Sequence, residues 1–193
     1  NLSLRDGTLT ISALEVVGTL GKLYLDGHIA QRGNLALKLG LDDFQLGALD
    51  PFLPPHDQAL NGQMRAALAI SGRAMAPLLE GEISLYDWQY GPFDLGRLRS
   101  RFTYAGQRAH MPDLEWVLPS GGYLRGTGEW PLDLRLSANP PPLSQHAVEF
   151  NLRAENAVFD SRQGLPANAE LHLDGQVQIR GDGTRWEELR CEL

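Results

Sequence analysis

Apolar and polar residues alternate along most of this chain, so that in many short stretches every second side chain is apolar. That period places the apolar side chains on one face of an extended strand. Helical periodicity is nearly absent. The clearest runs are Leu35, Leu37, Leu39 and Leu41; Met64, Ala66, Leu68 and Ile70; Trp130, Leu132, Leu134 and Leu136; and Val148, Phe150 and Leu152. The pattern predicts an all-β fold of roughly twelve strands.

Glycine paired with Asp, Asn or Ser interrupts these runs at short intervals, and such pairs supply the positive φ angles of tight hairpin turns. The segments that we interpret as turns are Arg5-Asp6-Gly7, Asp26-Gly27, Asn61-Gly62, Ser71-Gly72, Ser120-Gly121-Gly122, Asp174-Gly175 and Gly181-Asp182-Gly183. Strands joined in this way are neighbours in space, which predicts a mainly antiparallel, elongated and curved sheet.

Two segments depart from the strand pattern. Residues 42–55 begin with two aspartates and end with a double proline, which predicts a short helix or a tight loop. Residues 139–142 read Asn-Pro-Pro-Pro, a run too stiff for the interior of a sheet. We therefore predict one β segment over residues 1–138 and a continuation of the same sheet over residues 139–193, or one continuous domain.

Charge and apolar content restrict the partners of the chain. It carries 24 acidic and 17 basic residues, a net charge of −7, which disfavours nucleic acid as a partner. No apolar run is long enough to cross a membrane, and the first residues lack the features of a signal peptide. The chain begins without Met and ends in a run that resembles a strand, so we expect a fragment of a longer protein.

Motifs for catalysis or for metal binding are not recognisable. The histidines are scattered, and Cys191 is the single cysteine. The glycine-rich stretch 121–128 is not followed by a helix whose N-terminus could bind phosphate. We therefore expect no enzyme activity, no metal site and no cofactor.

The apolar face allows two interpretations that periodicity does not separate. It could be the closed core of a β-sandwich, or it could line a groove that stays open for acyl chains. Tyr86, Trp88 and Tyr90 alternate on a strand and suggest a related alternative, a carbohydrate- or protein-binding module with an aromatic platform. A passive β-solenoid spacer is a third possibility.

The order of several motifs resembles the repeating pattern of TamB-type translocation and assembly proteins and their AsmA-like relatives. These motifs are LDDFQL (41–46), LPP (53–55), LNGQ (60–63), LAISG (68–72), PLLEGEISL (77–85), YGPFDLG (90–96) and LRGTG (124–128). The resemblance covers roughly residues 8–160 well and the remainder loosely.

The resemblance implies a β-taco, a long sheet folded lengthwise into a U with an apolar interior and a polar exterior. It also implies a periplasmic segment of a protein that is anchored in the inner membrane of a diderm bacterium. Such proteins are bridge-like lipid transfer proteins, implicated in phospholipid transport to the outer membrane and in outer-membrane protein assembly with a BamA-like barrel partner.

On this hypothesis the work is done by apolar side chains that shield phospholipid acyl chains along a groove. The residues that we expect to line it are Leu35, Leu37, Leu39, Leu68, Ile70, Ile83, Leu85, Phe102, Leu132, Leu134, Phe150 and Leu152.

Overall fold

A computed structural model describes the chain except residues 32, 53–58, 133, 136–146, 183–189 and 193. The described residues form twelve strands and two short 3₁₀ helices. The strands are β1 (Leu2–Arg5), β2 (Thr8–Gly18), β3 (Gly21–Ala30), β4 (Asn34–Gln45), β5 (Leu60–Arg73), β6 (Ala76–Tyr90), β7 (Phe93–Ala105), β8 (Arg108–Val117), β9 (Tyr123–Pro131), β10 (Ala147–Phe159), β11 (Leu171–Asp182) and β12 (Arg190–Glu192). The 3₁₀ helices span Leu46–Phe52 and Ser161–Gln163.

All twelve strands belong to one sheet, in which each strand pairs antiparallel with its neighbour in sequence. This confirms the expected all-β antiparallel meander. The expected β-sandwich alternative is wrong, because the described strands form a single open sheet rather than two stacked sheets. β9 pairs with β10 across the proline-rich residues, so the sheet continues from residues 1–138 into residues 139–193. Residues 139–142 themselves lie outside the described part of the chain.

The pairing register places most of the large apolar side chains on one face. Residues directly opposite one another point to the same side of a sheet, and leucines or other apolar residues face each other across successive strands. One such row runs Ile29, Leu35, Gly72 and Pro77; another runs Leu25, Leu39, Leu68, Gly81 and Phe102. We call this side the apolar face and the opposite side the polar face.

A β-bulge interrupts every second strand. β2, β4, β6, β8 and β10 each contain one extra residue relative to a neighbouring strand, at Ser12-Ala13, Asp42-Asp43, Tyr86-Asp87, Pro112-Asp113 and Glu155-Asn156. Each pair lies between two residues of the apolar face, so the face stays in phase after the insertion. β7 has a further irregularity near its start, where Leu95 is the extra residue relative to β6. Bulges bend a strand and increase its twist, which explains how the sheet curves.

Four of the predicted hairpin turns lie inside strands, which corrects the sequence interpretation. Asp26-Gly27 is in β3, Asn61-Gly62 and Ser71-Gly72 are in β5, and Asp174-Gly175 is in β11. Gly62 has φ +117 and packs against the β6 bulge, where a Cβ would lie 2.7 Å from the Trp88 Cα. Glycine is needed there for close approach to a bulge, not for a turn.

The expected strand through Leu132 and Leu134 is also wrong. β9 ends at Pro131, and Leu132 and Leu134 follow it in irregular structure. The Leu134 N–H instead donates to the Tyr104 hydroxyl at 3.0 Å. The short helix predicted within residues 42–55 is present as the first 3₁₀ helix, where Leu46 is buried.

Candidate functional site

Eight of the twelve predicted lining residues form one continuous patch on the apolar face. Leu37 lies opposite Ile70, and Leu39 lies opposite Leu68 across the β4–β5 pair. The patch consists of Leu35, Leu37 and Leu39 on β4, Leu68 and Ile70 on β5, Ile83 and Leu85 on β6, and Phe102 on β7. Leu35 is almost fully buried, whereas the other seven are half-buried.

The same face extends over β1–β3, where the sequence analysis named no lining residue. Leu2 and Leu4 lie opposite Ile11 and Leu9, and Leu14 lies opposite Leu25. Alternation in residues 2–16 predicts these positions, but the bulge at Ser12-Ala13 shifts its phase and hides the continuity. No charged side chain lies on the apolar face where β1–β6 pair in register.

Exposure of the apolar face is greatest at its first two strands. Leu2 is 64% exposed, Leu4 is 71% exposed and Val16 is 52% exposed. Large apolar side chains that remain in water cost free energy, at about 25 cal/mol per Å². Among the described residues, no second sheet and no α-helix covers this part of the face. We call β1–β6 the open half of the apolar face.

Side chains of the apolar face pack into a buried cluster over β8–β10, with one residue from β11. Leu114 is 2% exposed, Val148 is 1% exposed and Ala157 is fully buried. The buried cluster is made of Met111, Leu114, Leu118, Leu124, Leu152, Ala154, Ala157 and Val177, with Phe150 packed against it. We call this the closed half. The predicted lining residue Leu152 therefore lies in a filled interior.

Glycines and aromatic rings fit together in the closed half. The Phe150 ring lies over Gly128, where a Cβ would overlap the edge of the ring. Trp130 packs against Phe150 with ring centroids 6.3 Å apart. Because the glycine leaves room for the ring, the neighbouring strands fill the space that a groove would need.

A loop ties down one end of the closed half. This loop follows β10 and contains the second 3₁₀ helix; we call it the strap. Gln163 accepts from the Ser120 hydroxyl and from the Asp160 N–H, each at 2.9 Å, and its side-chain amide donates to the Asp94 carbonyl at 2.9 Å. The strap thereby connects the end of β10 to the turn after β8 and to the start of β7.

Asp160 and Arg162 fix the shape of the strap. The Asp160 carboxylate accepts from the Arg162 backbone N–H at 2.8 Å and from its guanidinium at 2.7 Å. These hydrogen bonds hold the pKa of Asp160 well below its ordinary range. Arg162 also donates to the Pro119 carbonyl at 2.8 Å, so it links the strap to the turn after β8.

Ion pairs across strands cover the polar face. Arg101 pairs with Asp113 at 2.6 Å, Arg125 with Glu115 at 2.8 Å, and Arg65 with Asp42 at 2.9 Å. Although burial raises the pKa of Asp113, hydrogen bonds from the backbone and side chain of Arg101 outweigh it and lower the pKa. These ion pairs indicate that the charged side chains of the polar face serve as contacts that stabilise the sheet.

A shallow depression of about 560 Å³ lies against β2–β6. It is lined mainly by polar-face residues, among them the small residues Gly40, Ala67 and Ala69 beside Tyr24 and Lys38. The small side chains leave the strand backbone uncovered there. Its lining also includes four leucines of the apolar face, Leu14, Leu25, Leu39 and Leu68, of which Leu39 and Leu68 belong to the patch of predicted lining residues.

The alternative prediction, in which Tyr86, Trp88 and Tyr90 form a platform on one face of a strand, is wrong. Tyr86 lies on the polar face, where the Arg65 guanidinium is 5.5 Å from the centre of its ring. The bulge at Tyr86-Asp87 changes the phase of β6, and Trp88 lies on the apolar face with its ring 5.6 Å from that of Trp116. Tyr86 and Trp88 therefore cannot stack on one ligand.

Within the described part of the chain, no three His, Cys, Asp or Glu side chains lie close enough together to hold a metal ion. His56 and His146 lie outside that part. The described helices are all too short to span a bilayer. Comparisons with protein-family models, with curated proteins and with solved structures find no match.

Proposed function

We propose that this chain is a non-enzymatic segment that shields the acyl chains of phospholipids on the apolar face of its sheet. The observation that carries the proposal is the open half, a continuous apolar surface over six strands without a charged side chain. Apolar patches of this kind on soluble proteins mark binding surfaces.

The dimensions of the open half suit an acyl chain. Six strands enclose five interstrand spacings of about 4.8 Å, so the open half extends roughly 24 Å across the strands. The hydrocarbon core of a bilayer is about 30 Å thick for two opposed leaflets, so one chain needs about half of that length. Removing an acyl chain from water contributes about 0.8 kcal/mol per methylene, which requires no specific polar pocket.

The proposal includes a cellular setting that follows from the resemblance to TamB-type and AsmA-like proteins. The chain would work in the periplasm of a diderm bacterium, within a protein anchored in the inner membrane. There it would carry phospholipid toward the outer membrane, assist outer-membrane protein assembly with a BamA-like barrel partner, or do both. Native mass spectrometry of the chain mixed with the periplasmic domains of such a barrel protein tests the partner; absence of a complex at micromolar concentrations contradicts it.

Two substitutions on the same strand test lipid binding. Leu37→Arg places a charge on the apolar face, whereas Ala36→Arg places the same charge on the polar face, where Ala36 is exposed. We expect Leu37→Arg to abolish photo-crosslinking to a phospholipid with a diazirine midway along one acyl chain. Ala36→Arg should crosslink like the unmodified chain. Circular dichroism shows whether both variants remain folded.

The outcomes separate the proposal from its alternatives. Equal crosslinking of the two variants contradicts binding on the apolar face. If Leu37→Arg unfolds the chain while Ala36→Arg does not, Leu37 belongs to a closed core. An unmodified chain that neither crosslinks nor copurifies with lipid contradicts the function and favours a passive spacer. A stable dimer without lipid indicates that two copies cover each other's apolar faces.

A further inference from the structure

The two halves of the apolar face differ in a way that the proposed function alone does not require. Leu39 on β4 and Leu114 on β8 lie on the same face of one sheet, yet the first is half-buried and the second is 2% exposed. Both are leucines on interior strands, so neither their chemistry nor a sheet edge distinguishes them. The difference is that Leu114 belongs to a packed cluster of buried side chains.

We infer that the hydrocarbon-binding surface has a stop at β8, so that acyl chains occupy β1–β6 and do not pass β8–β10. This inference rests on the proposed function and specifies where in the chain that function operates.

Burial keeps an acyl chain away from the side chains of the closed half. Side chains of 0–9% exposure make almost no contact with water, and a methylene group is larger than a water molecule. In the closed half Met111, Leu124, Leu152 and Ala154 fall in this range and form one cluster. In the open half Ile11, Leu35 and Ala66 also do, but half-buried leucines such as Leu39 and Leu68 lie beside them. An acyl chain can touch the side chains of the closed half only if the packed cluster opens, which forfeits their contacts with one another.

Strand β7 forms the boundary between the open half and the closed half. Tyr104 is 2% exposed, and its hydroxyl accepts from the Leu134 N–H at 3.0 Å, which fixes the segment after β9 beside β7. Ser100, which is 2% exposed, is the buried polar residue of the described core, and its hydroxyl donates to the Arg101 carbonyl at 2.7 Å. Together these groups place hydrogen-bonded polar atoms between the two halves.

The strap holds the closed half together at one end. Gln163 holds the loop after β10 to the Asp94 carbonyl at the start of β7, and Gly164 lies so close to the Phe93 ring that a Cβ would be 2.6 Å from it. The strap therefore restrains β7–β10 from spreading at that end. In the open half the first 3₁₀ helix contacts β4 and β5, which are neighbours in the sheet, whereas the strap reaches from the end of β10 to β7.

Mapping the crosslinks on the unmodified chain tests the stop. The chain is photolysed with the diazirine phospholipid, digested, and its labelled residues are identified by mass spectrometry. We expect labels at Leu14, Leu25, Leu39, Leu68 and Leu79, and at least about tenfold less label per residue at Met111, Leu124 and Leu152, equivalent to about 1.4 kcal/mol. A small water-soluble diazirine applied to the urea-unfolded chain should label both groups of peptides, which shows that both can react and be detected.

The outcomes distinguish this inference from the function on which it rests. Comparable labelling of β1–β6 and β8–β10 overturns the stop but leaves lipid binding intact. Labelling confined to β8–β10 overturns the stop as well. No lipid labelling in either half, with both detected in the unfolded control, overturns the proposed function itself.

Discussion

The Asp174 carboxylate on β11 accepts a hydrogen bond from the backbone N–H of Asn156, the bulge residue of β10, at 2.7 Å. Asn156 has φ +47, a left-handed conformation that leaves its N–H outside the regular ladder. Asp26 accepts from the bulge residue Ala13 in the same way, at 3.1 Å. Asp26-Gly27 and Asp174-Gly175 therefore resemble hairpin turns in sequence, but in the structure each aspartate accepts a hydrogen bond from a bulge residue of the neighbouring strand.

Removing this acceptor should destabilise the bulge. We expect Asp174→Ala to lower the free energy of unfolding by about 1 kcal/mol, the usual net contribution of one hydrogen bond. Asp174→Asn should restore most of the loss, because its amide oxygen can also accept. Urea unfolding followed by circular dichroism measures both. Equal destabilisation by Ala and Asn would show that the hydrogen bond is not what the carboxylate contributes.

A glycine beside a bulge should tolerate no side chain. In Gly62→Ala a Cβ would lie 2.7 Å from the Trp88 Cα and 2.8 Å from the Asp87 carbonyl oxygen, at a φ of +117. We expect a loss of about 2 kcal/mol or more, since both strain and overlap with backbone oppose it. Gly18→Ala is the matched control, because no atom lies within 4 Å of its Cβ. Similar unfolding midpoints for the two variants would contradict this account.

The same substitution should have different effects in the two halves of the apolar face. Leu114→Ala removes a side chain from the closed half and should cost about 2–5 kcal/mol, as large-to-small changes in packed cores do. Leu2→Ala, at 64% exposure in the open half, should change stability by at most about 0.5 kcal/mol. Urea titration measures both. A small loss for Leu114→Ala would mean that the closed half is loosely packed.

Acid should weaken the strap. Hydrogen bonds from Arg162 lower the pKa of Asp160 below its ordinary value of 3.8. A carboxyl whose pKa is lower in the folded state stabilises the fold above its unfolded pKa, and this contribution is lost as pH falls below about 4. Asp160→Asn should therefore flatten the decline of stability between pH 5 and pH 2, chosen to bracket that value. Thermal unfolding across this range provides the measurement, and an unchanged slope would exclude Asp160 as a contributor.

Alternation in the sequence predicts the strands because sterics and burial act locally. Leu37 and Leu39 lie where period two places them, and on β7 the exposed Arg99 and Arg101 alternate with Ser100 and Phe102 on the other face. The antiparallel order follows as well, since short connections leave few alternatives. These features need no information from distant parts of the chain.

The β-bulges explain why strict alternation wrongly placed some side chains on the same face. Strict alternation places Tyr86 and Trp88 on one face, but the extra residue at Asp87 moves them to opposite faces. A recognisable signal was present: two apolar residues separated by two others, the second often Asp or Asn, as in Leu41-Asp42-Asp43-Phe44 and Ala154-Glu155-Asn156-Ala157. It recurs once in each second strand.

Closure of the face over β8–β10 could not be predicted from the alternation. Leu152 and Leu39 have the same local pattern, yet Leu152 is packed into the buried cluster and Leu39 is half-buried. Gly128 beneath Phe150 is a contact between two strands whose importance depends on their register. Burial on a curved sheet is a property of many strands together.

The recurrence of a bulge on every second strand makes the hairpin, not the strand, the natural increment by which such a sheet could lengthen. Inserting one hairpin, bulged strand plus regular strand, preserves chain direction, curvature and the phase of the leucines, and extends the sheet by about 10 Å. Inserting a lone strand would reverse the direction of everything that follows. Engineered versions of this scaffold should therefore accept or lose strands in pairs.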